Sequence, residues 1–123
     1  MIGYVTLGTN DLKRGAAFYD ALLAEIGAKR TMEFDGFIVW SNSKTGAGLA
    51  LTHPHDKKKA TVGNGVMVAL AAGTKANVDR LYSKAIALGG TDEGKPGPRG
   101  EGFYAGYFRD PDGNKLNAFY MGP

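Results

Sequence analysis

Few side chains in this 123-residue sequence could do chemistry unaided, and its two histidines are the first to weigh. They stand in the run His53-Pro54-His55-Asp56, which places two imidazoles and a carboxylate within four positions. Those donor types suit Zn, Ni, Mn and Fe. The run follows strand-like residues and leads into Lys57-Lys58-Lys59, so a solvated loop is the favoured reading and a surface metal site the alternative. Arg109 has the fork geometry to clamp a carboxylate or a phosphate. It stands beside Asp110 and Asp112, so stiffening a turn by pairing with one of them is the stronger expectation. With no cysteine there is no thiolate nucleophile, thiolate zinc site or disulfide. There is also no G-x-S-x-G elbow, no Walker loop and no G-x-G-x-x-G after a strand.

Composition narrows the classes further. A hydrophobic share of 43% with 22% charged residues is that of an ordinary globular chain, not a disordered or collagenous one. The length suits a single domain. The net charge of +3 is modest. The lysine run lacks the interleaved aromatics of a nucleic-acid surface, so neither nucleic acid nor membrane is expected as a partner. No apolar run approaches the roughly 20 residues that span a bilayer. The start, Met1-Ile2-Gly3-Tyr4-Val5, reads as a strand without signal-peptide layout, so the expected location is cytoplasmic.

The elements that must position these groups come in two similar sets. Tyr4 to Leu7 read as a strand, and Thr9-Asn10-Asp11 supply helix N-cap chemistry. Leu12, Phe18, Leu22, Leu23 and Ile26 then fall on one helical stripe, with Lys13 and Asp20 opposite, and Gly27 ends the helix. Three short strands are expected over residues 30–34, 37–41 and 47–52. In the second set, residues 66–71 read as a buried strand. Gly73-Thr74 precede a helix carrying Val78, Leu81, Tyr82, Ala85, Ile86 and Leu88, which Gly89-Gly90 close. Residues 91–102, rich in Gly and Pro, read as a mobile loop or an irregular strand. The last two strands are expected over 103–109 and 114–121, joined by a turn in which Pro111 fixes φ, Asp112 bonds its own backbone and Gly113 takes positive φ.

The fold class expected is therefore α+β. Residues 1–53 form one βαβββ module and 65–123 a second, with 54–64 linking them in one domain. Each half is too small to hide both faces of its sheet. Two such sheets could join edge to edge and curl, with helices on the convex side and a cup on the concave side. Only alternate strand residues would face that cup.

The run Tyr107-Phe108-Arg109-Asp110-Pro111-Asp112-Gly113-Asn114-Lys115-Leu116-Asn117-Ala118-Phe119 resembles the closing hairpin of the vicinal oxygen chelate superfamily. This superfamily includes glyoxalase I, extradiol dioxygenases and bleomycin resistance proteins. Asp11-Leu12, followed by Phe18-Tyr19, resembles its opening strand and helix. The resemblance implies the same pair of βαβββ modules around a cup and four metal-ligand positions. On this chain those positions carry Tyr4, Ala50, Met67 (Val66 in a shifted register) and Asn117, where the metal enzymes carry histidine and glutamate. It therefore implies the fold without the metal, and no cofactor.

From the family positions, Tyr4, Thr6, Ala50, Thr52, Met67, Ala69, Asn117 and Phe119 share the parity that faces the cup. A filled core is the rival reading for Met67, Ala69 and Phe119. A buried Tyr4 phenol or Asn117 amide would need a partner. Trp40 is either a stacking wall for a planar ligand or a core residue, and Tyr104 and Tyr107 are expected at the cup edge with Arg99 and Glu101. Glu33, Asp35 and Glu101 are the carboxylates nearest that edge, and no two have the spacing of an acid–base pair. The function expected is binding of a small organic molecule, aromatic or cationic, by a homodimer. A glyoxalase-like isomerase or lyase, or a dioxygenase-type enzyme with a displaced metal site, is the alternative.

Overall fold

The computed structural model describes residues 1–123, and the chain divides into two compact units, Met1–Val62 and Gly63–Pro123. The first contains β1 (Tyr4–Gly8), α1 (Leu12–Ala24), β2 (Lys29–Phe34), β3 (Phe37–Ser41) and β4 (Gly48–Thr52). The second contains β5 (Val68–Ala71), α2 (Lys75–Ala87), β6 (Thr91–Pro98), β7 (Phe103–Arg109) and β8 (Lys115–Met121). Each unit is thus a βαβββ module, and the fold is α+β. No helix is long and apolar enough to cross a membrane.

The two sheets share one topology, β1-β4-β3-β2 in the first and β5-β8-β7-β6 in the second. In each, the strand before the helix pairs in parallel with the module's last strand, and the other pairings are antiparallel. The parallel pair requires a crossover, which the helix supplies. Both helices start on the expected caps. Asp11 accepts from the Arg14 amide at 3.1 Å, and Thr74 accepts from the Asn77 amide at 3.0 Å. Past the first helix, Gly27 takes φ 73°, a conformation that L side chains resist.

The cores lie between each helix and one face of its sheet. In the first module Leu22, Tyr19 and Phe18 from α1 are buried, as are Ile38, Trp40, Leu49 and Leu51 from the strands. In the second, Val78, Leu81 and Ala85 from α2 are buried, as are Leu70, Phe108, Leu116 and Ala118.

One expectation is corrected, and of the two alternatives for residues 91–102 the irregular strand is found over 91–98. The fifth strand begins at Val68, and Val66 and Met67 before it are 59% and 40% exposed, so that segment is not a wholly buried strand. Residues 91–98 form strand β6, whose register shifts between Asp92 and Gly94 and again between Gly94 and Gly97. Glycines and prolines bend that strand without abolishing its pairing with β7.

The closing turn adds a feature that the expectation did not include. Asp110 folds its side chain onto the backbone. Its Oδ1 accepts from the Asp112 and Asn114 amides and its Oδ2 from Asn114 Nδ2, each at 2.9 Å. Gly113 takes φ 92° as the turn requires.

Candidate functional site

Each sheet has one face beneath its helix and one open face, and strand parity decides which side chain lies where. In the first module Thr6 is in register with Ala50, Gly8 with Thr52, Val39 with Ala50 and Phe37 with Thr52. Tyr4, Thr6, Ala50 and Thr52 therefore share the open face with Phe37 and Val39, as their parity predicts. This face carries an aromatic group. The Phe37 ring lies 6.2 Å from that of Tyr4 and 6.3 Å from that of Phe34. Tyr4, Met32 and Phe34 are 59%, 49% and 64% exposed. The Tyr4 phenol thus meets solvent and is not the buried group in need of a partner that the sequence suggested. Ala50 has only a methyl and is fully covered.

Trp40 does not belong to this face. It is in register with Leu49, its ring lies 5.7 Å from Tyr19 of α1, and its Nε1–H donates to Asp20 Oδ1 at 2.8 Å. It is 1% exposed, so it is a core residue and not a stacking wall. Asp20 also accepts from Arg30 Nε at 2.9 Å and Nη2 at 2.8 Å. The bond from Arg30 holds its carboxyl below the usual range, partial burial opposes this, and the Trp40 bond adds to it. Glu33 is held by Arg30 Nη1 at 2.6 Å. Glu33 is therefore engaged in an ion pair.

In the second module Ala69 is in register with Asn117, Ala71 with Phe119, Tyr107 with Asn117 and Ala105 with Phe119. Asn117, Phe119, Tyr107 and Ala69 share the open face, with Phe103 stacked on Phe119 at 5.7 Å. Met67 lies one position before β5 begins. Tyr107 is flanked by two cations, the Arg99 guanidinium 5.6 Å and the Lys115 ammonium 5.7 Å from its ring centre. Asn117 is 2% exposed, and its Oδ1 is buried with no hydrogen-bond partner.

Tyr104 is displaced from the expected site. Odd and even positions of β7 face opposite ways, so it lies under α2, where its hydroxyl donates to Asp79 Oδ1 at 2.7 Å. That bond raises its pKa above the usual phenol value, with desolvation second. Arg109 ties β6 to the closing turn. Its Nε donates to Glu93 on β6, and its Nη1 donates to the Gly113 carbonyl at 2.9 Å. Glu101 lines a small hollow of about 270 Å3 with Lys75, Phe103 and Tyr104.

His53 and His55 lie past the end of β4, where strand parity no longer applies. Both line a larger hollow of about 640 Å3, with Asp35, Thr52 and the three lysines 57–59. No group of three or more His, Cys, Asp or Glu side chains is arranged to hold a metal ion. Sequence reasoning missed the Asp20–Arg30–Trp40 cluster and this basic hollow.

Comparison with known proteins agrees with this architecture. A family model described as the Glyoxalase/Bleomycin resistance protein/Dioxygenase superfamily matches residues 1–118. Among solved structures, a glyoxalase/bleomycin resistance protein from Albidiferax ferrireducens T118 is 35% identical, with 97% of each chain covered and a TM-score of 0.87. A family enzyme from Burkholderia phytofirmans PsJN is 21% identical with 97% of each chain covered and a TM-score of 0.77. A lactoylglutathione lyase from Agrobacterium tumefaciens is 23% identical, over 97% of this chain and 92% of that one, at a TM-score of 0.69. The last two show likeness of fold alone. No curated protein matches the chain.

Proposed function

The chain belongs to the glyoxalase/bleomycin resistance protein/dioxygenase superfamily, and on that premise we propose that it binds a small organic molecule on the open faces of its sheets, without a divalent cation. One observation carries this reading. Asn117 Oδ1 lies on the open face of the second module, buried and without a partner, beside the Tyr107 ring. A buried carbonyl oxygen left unpaired costs about 1–3 kcal/mol. A ligand that offers an N–H or O–H there recovers that cost, while Tyr107, Phe103 and Phe119 give its apolar part a surface to stack on.

The donors at the four family metal positions do not fit a divalent ion. Ala50 has no donor atom, Met67 offers a thioether, Tyr4 a phenol and Asn117 one amide oxygen. Sites for Ni, Zn, Mn or Fe in such folds want imidazoles and carboxylates. The protein is a binder that sequesters its ligand.

A second copy of the chain is the partner proposed for the exposed Tyr4, Met32 and Phe34, since apolar patches of this kind on a monomer mark interaction surfaces. Sedimentation velocity tests it. A dimer is expected, and a monomer at all concentrations refutes it.

The ligand reading is tested by thermal shift with three probe sets: hydrophobic drugs, 2-oxoaldehyde–thiol adducts and catechols. At one hundred times Kd a ligand stabilises by about 2.7 kcal/mol. The expected result is a hit whose shift persists with chelator present and disappears in Asn117→Leu. Hits that need added Ni, Zn or Mn, or one such ion held per chain after purification, overturn the metal-free reading. An absence of any hit removes the binding reading.

A further inference from the structure

One hollow of the first module lies where β4 ends, and its wall has an unusual charge. Lys57, Lys58, Lys59, His53 and His55 line it, against the single carboxylate of Asp35. Its volume, about 640 Å3, falls within the range of small-molecule sites, roughly 300–1,000 Å3. Asp56, in the same loop, accepts through Oδ1 from the Lys58 amide at 2.9 Å.

The loop that carries these cations is pinned to the module at both ends. The His53 amide donates to the Gly36 carbonyl at 3.0 Å. The Ala60 amide donates to Asn10 Oδ1 at 2.7 Å, and Asn10 Nδ2 returns a bond to the Ala60 carbonyl at 3.3 Å. Between these anchors the Lys57 amide donates to the Pro54 carbonyl at 2.9 Å. Lys57 is the only non-glycine residue with positive φ, at 63°. Backbone in this region is unfavourable for a lysine, and outliers of this kind concentrate at functional sites.

A divalent cation in this hollow would face three ammonium groups, so the metal alternative for the two histidines loses to electrostatics. An anion meets the reverse situation. Lysines bind phosphate as point charges, and imidazoles add N–H donors. The wall has no Phe, Tyr or Trp on which successive bases would stack, which argues against a single-stranded nucleic acid. We propose that this hollow is a binding site for a small molecule bearing a phosphate or diphosphate group, separate in chemistry from the apolar open faces.

The test uses the full chain, with inorganic diphosphate and orthophosphate titrated at constant ionic strength and followed by amide NMR. Saturable one-to-one shifts are expected at Gly36, His53, His55 and 57–59, with diphosphate the tighter. Lys58 and Lys59 are exposed, so Lys58→Gln/Lys59→Gln keeps the fold, and it should weaken diphosphate by roughly tenfold or more. Lys57 is left in place because of its backbone conformation. Absence of saturation at millimolar diphosphate overturns the proposal, as does a response unchanged in the double variant. An oligonucleotide that outcompetes diphosphate and spreads shifts beyond the hollow overturns the small-molecule assignment.

Discussion

Replacing Asn117 by leucine should make the ligand-free protein more stable, which is unusual for a substitution at a position 2% exposed. The unpaired Oδ1 costs about 1–3 kcal/mol in the native state, because water solvates it in the unfolded chain and nothing bonds it in the folded one. Leucine has a similar branched shape and no polar atom, and its extra bulk takes back part of the gain as packing strain. A net gain of about 1 kcal/mol follows, which for a domain of this size raises Tm by about 4 °C. The assay is thermal and urea unfolding at matched protein concentration, read from the denaturation midpoint. A variant destabilised by about 1 kcal/mol or more would mean that the amide makes native hydrogen bonds, and the argument for a waiting acceptor would fall. The same variant should lose the response to any ligand found for the native protein, so stability and binding should move in opposite directions.

Other substitutions test the frame around the site. Trp40→Ala should cost about 3–5 kcal/mol, since it empties the space between Tyr19 and the sheet and removes one of the donors to Asp20; urea midpoints measure this. Acid should unfold the first module in part through Asp20. Its folded pKa lies below the ordinary 3.8, so the stability it contributes is complete above that value and fades as pH falls through the lower one. Trp40 emission during acid titration, compared with Asp20→Asn, reads this directly, and identical profiles would contradict it. Gly90→Ala places a Cβ 2.7 Å from the Ala85 carbonyl oxygen and 2.8 Å from that of Arg109, so a loss of about 1–3 kcal/mol is expected in chemical denaturation. Asp110→Ala strips three donors of their acceptor in a turn where Asp110 and Asn114 are 3% and 6% exposed. It should cost at least about 1–3 kcal/mol by the same measurement.

Most of the frame was legible because its signals are local. Asp11 and Thr74 announce the helix starts, Gly27 the first helix end, and Gly113 the final turn, each through backbone chemistry that few residues share. Strand parity also placed Tyr4, Thr6, Thr52, Asn117 and Phe119 on open faces, since a period of two needs only a correct register. Tyr104 and Trp40 were candidates by residue type, not by parity; Trp40 takes the core alternative and Tyr104 turns toward α2. Aromatic residues suit a ligand wall and a core equally, and only the position of the helix decides between them. Asp20 was read as facing away from the stripe, yet a carboxylate on the flank of α1 reaches both Arg30 and Trp40. Such a cluster joins residues ten and twenty positions apart, and no periodicity encodes it. The hollow beside His53 is of the same kind, because it depends on where the β2–β3 turn meets the loop after β4.

The irregular strands following each helix limit how this chain can associate. Strand β2 shifts register between Arg30 and Met32, and β6 carries Pro96 and Pro98 along with its own two shifts. Both are edge strands of their sheets. A proline offers no amide hydrogen and a bulge breaks the ladder, so neither rim makes a good template for an incoming chain. The opposite edges, β1 and β5, are short and pair without a register shift. Crowded or half-folded copies would therefore have two narrow docking rails instead of four, and fibrous misassembly is starved of the long flat margins on which it grows.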